Sequence, residues 1–303
     1  EAKRYSIIAG VNKNYARHIP SGFDGLKPVA RRTLLTLYQE RGKLQKVNRI
    51  SGNCMGMYHP HGSSSISDVI SNMGQPWANN VMYIDTQGSF GTQNGQKAAA
   101  DRYIECKISK FALKCFFEDY KYASLDMKPT YLGDGMEPEY LPVKYPIALV
   151  NPQFSSIGYG TSANIAPYNF TEVLEATIKL LKDPKAKIKL IPDFPSGCDV
   201  IADDKLAEVD RYHGRGTVTV QSSTEIDYDN NIITIRSIPL QTSTGEIQKK
   251  ISEQVILKKF DEIKDIKDYT NAAQGVCMEI HLKDDANPDK VLDRLLKKGF
   301  GLK

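Results

Sequence analysis

Three consecutive stretches decide the fold of the first part of the chain: PVARRTLLTLYQE (28–40), SGNCMGMYHPHG (51–62) and SSSISDVISNM (63–73). The first begins with proline and spaces its apolar residues as one face of a helix does. The second is rich in glycine, which predicts a tight turn. The third opens on serines, of which Ser63 or Ser64 is expected to cap a second helix. The pattern predicts a helix-turn-helix, a unit that presents the N-terminal end of its second helix to DNA.

A change of pattern divides the chain into two parts. Before it, VMYIDT (81–86) predicts a strand and KFALKCFFEDY (110–120) an amphipathic helix. Residues 125–145 are acidic and rich in proline and glycine, as domain junctions often are. We therefore predict an α+β protein with a first domain at 1–138 and a second at 139–303.

The second part mixes helices and strands. Asn169 and Glu172 have the spacing of a capping box for a helix through 182. The stretches GTVTVQ and IITIRSI flank a DYDNN turn, which predicts a hairpin. Further along, we expect a helix that begins at Ser243, a strand at VCMEIHL (276–282) and a last helix from Asn287.

The charge of the chain is unevenly distributed. Residues 1–60 hold 11 Lys and Arg but only three Asp and Glu, whereas the whole chain has a net charge of only +4. Such a segment fits a surface that binds a polyanion, although a solvated basic surface explains it equally well. The five cysteines form no C-x-x-C pair, and neither a secretory signal nor a membrane-length apolar run is present. We therefore expect a cytoplasmic protein, in a bacterium or an infected host cell.

Two short motifs contain groups suited to phosphate chemistry. In AAADRYIEC (98–106), Tyr103 is a possible nucleophile and Arg102 a planar donor for a phosphate oxygen, although the dipeptide alone favours an ordinary strand. In YHPHG (58–62), His59 and His61 can donate to an oxyanion or exchange a proton near neutral pH. A metal site at these two histidines is the weaker alternative, because no further ligands form a recognisable cluster.

Five motifs together resemble one family. FDGLKPVARR, YHPHG, TQGSFGT, AAADRY and PDFPSG resemble, in order and spacing, the breakage–reunion region of the A subunits of DNA gyrase and topoisomerase IV. NIAPYN (164–169) continues the resemblance, which covers essentially the whole chain. It implies a winged-helix domain followed by an α/β tower domain, in the DNA-breaking part of an ATP-dependent type IIA topoisomerase.

The resemblance also implies roles for individual residues. Tyr103 matches the nucleophile that becomes linked to a 5′ phosphate, and Arg102 matches its phosphate-binding neighbour. Arg17 matches the catalytic arginine, and His61 a histidine that hydrogen-bonds near the reacting phosphate, with His59 in support.

Other matched positions imply DNA contacts. Ile157 matches an isoleucine that wedges between base pairs and bends the DNA. Ser64 and Asp68 fall at the positions that bind quinolones in bacterial enzymes. The remaining expected contacts are basic residues that approach the backbone: Lys27, Arg31, Arg32 and Arg49.

The expected cofactors and partners follow from the same resemblance. It implies Mg²⁺ held by a TOPRIM domain in trans, ATP used by a separate ATPase domain, double-stranded DNA, a second copy of this chain and a gyrase B-like subunit. We expect no metal site in this chain and no membrane contact. Because the coiled-coil exit gate and the C-terminal domain of the family are missing, we expect a fragment or one part of a split protein. The alternatives are a non-catalytic winged-helix DNA-binding scaffold and a metal-dependent hydrolase that uses His59 and His61.

Overall fold

The structure is a computed structural model, and it confirms an α+β protein. It has two compact units, one formed by residues 1–90 with 98–191 and the other by 91–97 with 192–303. The boundary between these units lies later in the chain than the predicted domain boundary at 138/139. The division into a winged-helix domain and a tower domain at 138/139 stays a prediction. The residues that the structure describes are 2–202, 204, 206, 209, 215–297 and 299–303.

Helices dominate the start of the first unit. They are α1 (Ala2–Lys13), a π-helical turn (Asn14–His18), α2 (Pro28–Gln39), α3 (Val47–Met57) and α4 (Ser63–Met73). The prediction of a helix from Pro28 is confirmed, and so is the helix over 63–73. Large apolar side chains from α2, α3 and α4, among them Leu34, Ile50 and Ile66, are fully buried in one core. Burial of such side chains is the main stabilising contribution to this unit.

The structure corrects the predicted turn between these helices. Residues 51–57 belong to α3, because Val47, Ile50 and Cys54 repeat at helical spacing and all point into the core. The turn is therefore confined to 58–62 and joins α3 to α4, so the predicted pairing of the helix at 28–40 with the helix at 63–73 across a single turn is wrong. The cap of α4 also differs from the expectation, since its N-cap is Gly62 at φ +100° and no serine side chain caps it.

A small antiparallel sheet closes this core. Its strands are β1 (Gln45–Lys46), β2 (Ile84–Gln87) and β3 (Glu105–Ile108), in the order β1-β3-β2. The expected strand near 81–86 and the expected helix from Lys110 are present, the latter as α5 (Lys110–Ala112) continued by a π-helical turn (Leu113–Phe117).

Two hairpins and a long helix complete the first unit. The hairpins pair β4 (Met127–Pro129) with β5 (Met136–Pro138), and β6 (Gln153–Ile157) with β7 (Ser162–Ile165). The helix is α6 (Phe170–Lys182), which Asn169 caps by accepting from the amides of Thr171 and Glu172. The predicted cap is therefore confirmed.

The second unit packs helices on a four-stranded sheet and contains a further two-stranded sheet. Its strands are β8 (Asp199–Val200), β9 (Val220–Gln221), β10 (Thr224–Asp227), β11 (Ile232–Ile235), β12 (Ile263–Asp268) and β13 (Met278–Leu282), and its helices are α7 (Thr244–Ile256) and α8 (Pro288–Lys297). The main sheet has the order β10-β11-β13-β12. Ile247 and Ile251 of α7 and Val291 of α8 share a core with this sheet.

The prediction of the first strand of the hairpin, GTVTVQ, is wrong. The partner of β11 is β10 and not GTVTVQ, whose last two residues pair with β8 instead. The turn sets this register: Asp227 accepts from the amides of Asp229 and Asn230, and Asn231 has a positive φ of 56°. A turn this tight requires its strands to begin directly at its ends, which selects Thr224–Asp227.

Candidate functional site

Tyr103 lies at an exposed turn. The amide of Tyr103 donates to the carbonyl of Ala100 at 2.8 Å, and 64% of the residue is exposed to solvent. The guanidinium of Arg102 lies 4.7 Å from the centre of the Tyr103 ring, which is cation–π distance. The phenol is thus open to a large ligand and has a cation next to it.

A second polar group surrounds the two histidines. Arg17 lies in the π-helical turn after α1, and its guanidinium nitrogen Nη2 is 3.2 Å from Nε2 of His61. Arg32 of α2 donates to Nδ1 of His59 at 3.0 Å. The rings of His59 and His61 meet edge to face, with their centres 4.8 Å apart. The chain of contacts therefore runs from Arg32 through both imidazoles to the exposed Arg17.

Glu137 holds Arg32 in place on the buried side of the arginine–histidine group. Its carboxylate accepts from two nitrogens of Arg32, at 2.6 and 2.7 Å, and the glutamate is buried. A bidentate pair of this kind fixes the plane of the guanidinium. Because the third contact of Arg32 is to His59, the position of the imidazole depends on Glu137.

The surroundings of the histidines favour neutral rings. Burial, together with the positive charge of Arg32, lowers the pKa of His59 from 6.5 to about 4. Partial burial and the charge of Arg17 lower the pKa of His61 as well. A neutral His61 can accept a proton, and Arg17 beside it can bind an anionic oxygen.

Arg31 is placed differently from the expected backbone contact. It is buried, and its guanidinium donates to both oxygens of Asp24 at 2.6 and 2.9 Å and to the carbonyl of Leu26. Asp24 also accepts from the amide of Leu141 at 2.9 Å. These contacts favour a structural role for Arg31, which joins the segment before α2 to the segment after β5.

Arg32 and His59 also differ from the predicted DNA contacts, because Arg32 pairs with the buried Glu137 and His59 is itself buried. The predicted contacts Lys27, Arg49, Ser64 and Asp68 lie at or near the surface. Lys27 is half-buried, and burial lowers the pKa of its ammonium group. Arg49 is exposed on α3, and its Nε lies 3.1 Å from the carboxylate oxygen Oε2 of Glu40. Ser64 and Asp68 are both exposed, one turn apart on the same face of α4.

Ile157 is at the end of β6, with 70% of the residue exposed. An isoleucine so exposed gains little from packing in the core, and its side chain is open to contact with a ligand. Two hydrogen bonds join the tip of this hairpin to the π-helical turn: Asn14 accepts from the amide of Tyr159 at 2.7 Å and donates to its carbonyl at 2.9 Å.

The structure brings some predicted residues together and leaves others apart. Arg17, Arg32, His59 and His61 form one connected group. Among the described residues, the hydrogen bonds, ion pairs and ring contacts do not join Tyr103 to that group. The nucleophile candidate and the histidines thus form separate parts of the first unit.

Sequence reasoning missed the acidic partners of these residues. Glu137 lies 105 positions from Arg32, and Asp24 stands out in the sequence only as part of a motif. Tyr131, whose ring centre lies 5.1 Å from that of His61, was also missed. The one available signal was the acidic character of residues 125–145, which also fits a domain junction.

The metal-dependent hydrolase alternative receives no support from the histidines. Each of them faces an arginine, and a cation at that distance disfavours a second cation. Within the part of the chain that the structure describes, no three His, Cys, Asp or Glu side chains are grouped so that they could hold a metal ion.

Comparison with known proteins identifies the family. The model of the family of DNA gyrase and topoisomerase IV A subunits matches residues 17–300, nearly the whole chain. The chain belongs to this family, and the resemblance inferred from the five motifs is confirmed. Gyrase and topoisomerase IV are type IIA topoisomerases, which are isomerases.

Individual relatives agree with this assignment. The DNA gyrase A subunits of Granulibacter bethesdensis and Staphylococcus epidermidis are each 35% identical over 93% of this chain. That of Streptomyces coelicolor is 34% identical over 98% of the chain. The chain spans about a third of the length of these relatives, namely 31%, 33% and 36%. None of the helices in the described ranges has the length and apolar character that a membrane crossing requires.

Proposed function

We propose that this chain is the DNA-breaking and rejoining part of a type IIA topoisomerase, and that Tyr103 is its nucleophile. The observation behind the proposal is the exposed turn on which Tyr103 and Arg102 stand beside each other, in a chain of the gyrase A family. The Arg102–Tyr103 pair, together with the exposed Arg17, argues against a scaffold that only binds DNA.

The proposed reaction exchanges one phosphodiester for another. The phenol oxygen of Tyr103 gives up its proton and forms a bond to phosphorus, while the bond from phosphorus to the 3′ oxygen breaks and that oxygen takes up a proton. The tyrosine is then linked to the 5′ end of the strand, and the reverse reaction reseals it. Since one ester replaces another, catalysis consists of positioning and of stabilising charge.

The remaining residues take supporting parts in the proposal. Arg102 binds a phosphate oxygen at the nucleophile, Arg17 binds an oxygen of the reacting phosphate, and the neutral His61 forms a hydrogen bond near that phosphate. His59 and Arg32 hold His61 in place from the buried side. Lys27, Arg49, Ser64 and Ile157 contact the DNA, with α3 and α4 as the helix-turn-helix of a winged-helix domain that is followed by a tower domain. Asp68, with Ser64, marks the position that corresponds to the quinolone site.

The proposal requires partners in trans. Magnesium, held by a TOPRIM domain of a gyrase B-like protein, would supply positive charge where phosphate oxygens become more negative. The described residues of this chain offer arginines and histidines for the same phosphate. ATP would be used by a separate ATPase domain, and two copies of this chain would be needed to break both strands of a duplex.

The test is the variant Tyr103→Phe in the enzyme reconstituted with its TOPRIM-bearing partner. We expect covalent protein–DNA adducts to disappear while the affinity for DNA stays nearly unchanged, because only the attacking oxygen is lost. Tyr122→Phe is the matched control, since Tyr122 is an exposed tyrosine in the same unit. Adducts at the level of the unmodified chain in Tyr103→Phe would refute the assignment, and no adducts in any chain would favour the scaffold.

A further inference from the structure

Asp101, the residue before Arg102, is bonded to the helices on which the Tyr103 turn rests. Its carboxylate accepts a hydrogen bond from the hydroxyl of Ser67 on α4. The hydroxyl of Ser67 also lies 3.0 Å from that of Ser51 on α3, and both serines are buried. A chain of polar contacts, with both serines buried and Asp101 half-buried, thus connects α3, α4 and the turn.

The backbone of the same turn is attached to the start of α3. The amide of Asn48 donates to the carbonyl of Asp101 at 3.3 Å, and the amide of Val47 donates to the carbonyl of Ile104 at 3.1 Å. The first amides of a helix have no partner within it, and α3 has no side-chain cap. The two residues on either side of Arg102 and Tyr103 therefore take the place of a cap.

We propose that Asp101 is a positioning residue that, through Ser67 and Ser51, fixes the direction in which Tyr103 points; this inference rests on the proposed function. Tyr103 itself is exposed and gains little from packing, so its direction depends on the residues that flank it. In-line attack on phosphorus tolerates little displacement of the attacking oxygen. The side chain of Asp101 is the polar anchor that the turn places next to the Arg102–Tyr103 pair, and it acts as a hydrogen-bond acceptor.

The experiment measures single-turnover adduct formation and DNA affinity in the reconstituted enzyme. In Asp101→Ala we expect adducts to form about 10- to 100-fold more slowly, at an unchanged affinity for DNA, because the attacking group is misplaced and the phosphate contacts remain. Asp101→Asn should recover most of the rate, since an amide oxygen still accepts from Ser67. Ser67→Ala should resemble Asp101→Ala, and the double variant should be no slower than either single one, because both remove the same bond.

A matched control separates positioning from general loss of stability. In the second unit, the buried hydroxyl of Thr244 donates to the carboxylate of Asp268, a bond of the same kind far along the chain from the turn. Asp268→Ala should leave the rate of adduct formation unchanged. If Asp101→Ala fails to fold, Ser67→Ala and Asp101→Asn provide the same comparison.

Two results would overturn the inference. If Asp101→Asn were as slow as Asp101→Ala, the negative charge and not the hydrogen bond would matter, and a positioning role would be wrong. If Asp101→Ala and Ser67→Ala formed adducts at the normal rate while Tyr103→Phe formed none, the proposed function would stand and this inference would fall. Adducts in Tyr103→Phe would instead remove the proposed function itself.

Discussion

The two histidines of YHPHG have different surroundings although only a proline separates them. His59 has 6% of its surface exposed and accepts from Arg32, whereas His61 is half-buried beside the exposed Arg17. Because an arginine cannot accept a hydrogen bond, Nδ1 of His59 must be the unprotonated nitrogen of the ring. His59 is therefore the structural histidine of the pair, and His61 is the one that can reach a ligand.

The depressed pKa of His59 predicts a dependence of stability on pH. The unfolded chain takes up a proton at this histidine near pH 6.5, whereas the folded chain does so near pH 4. The unfolded state therefore binds more protons in this window, and the free energy of unfolding should fall as the pH falls from 6.5 to 4. We expect a loss of at most about 3 kcal/mol, the full value for a shift of this size.

The variant His59→Asn isolates this effect from the titration of carboxylates. An asparagine oxygen can accept from Arg32 in place of Nδ1 but does not titrate. Denaturant unfolding of both proteins between pH 7 and pH 4 should show the difference between them shrinking as the pH falls. A constant difference over this range would mean that His59 titrates normally.

The hairpin β6–β7 shows how an element can present one side chain. Its end is held to the π-helical turn by the buried Asn14, and a Cβ on Gly158 would lie 2.3 Å from the oxygen of that side chain. Only glycine fits at that position without moving Asn14. Since Arg17 belongs to the same π-helical turn, the two hydrogen bonds of Asn14 join the hairpin that carries the proposed wedge Ile157 to the turn that carries the proposed phosphate ligand Arg17.

Ile157→Ala tests the proposed wedge. We expect smaller DNA bending and slower cleavage with little loss of affinity, because a wedge acts by deforming the duplex whereas phosphate contacts supply most of the affinity. The bend is measured by fluorescence energy transfer between the ends of a labelled duplex. Ile178→Ala, at an exposed isoleucine of α6, is the control and should leave the bend unchanged. An unchanged bend in Ile157→Ala would exclude intercalation at this residue.

At the scale of the whole molecule, the distribution of charge limits what the chain can do alone. The described residues bring arginines and histidines together, but no acidic cluster suited to a metal ion. Phosphoryl transfer usually relies on carboxylate-held magnesium where charge develops on oxygen. The proposed cleavage is therefore expected to depend on groups from another chain.

We predict that this chain alone does not cleave DNA at any Mg²⁺ concentration and gains the activity when a TOPRIM-bearing partner is added. The measurement is plasmid linearisation with the purified chain, in which Mg²⁺ and then the partner are titrated. Tyr103→Phe with the partner serves as the inactive control. Linear DNA with covalently attached protein, formed by the chain alone, would reveal a metal site among its own residues.

Much of the fold and part of the site could be predicted from the sequence. Helices α2, α4, α6, α7 and α8 were predictable because apolar spacing, prolines and caps act within a few residues, as the Ser243 cap of α7 does. Helix α3 was missed because its glycines resemble a turn, although its buried stripe from Val47 to Cys54 is helical. Strand β10 was missed because the turn at Asp227, and not apolar alternation, sets where it lies.

The sequence by itself determined the family, the order of the motifs and the candidate nucleophile Tyr103, because these depend on residue identity and spacing. Only the tertiary structure decided that Arg31 pairs with Asp24 inside the protein, that Glu137 holds Arg32 against His59, and that Asp101 bonds to Ser67. The reason is physical. Periodicity and capping are local, whereas the partner of a buried charge is whichever group the fold brings within hydrogen-bond distance, and an unpaired charge there would cost several kcal/mol, roughly 3–5.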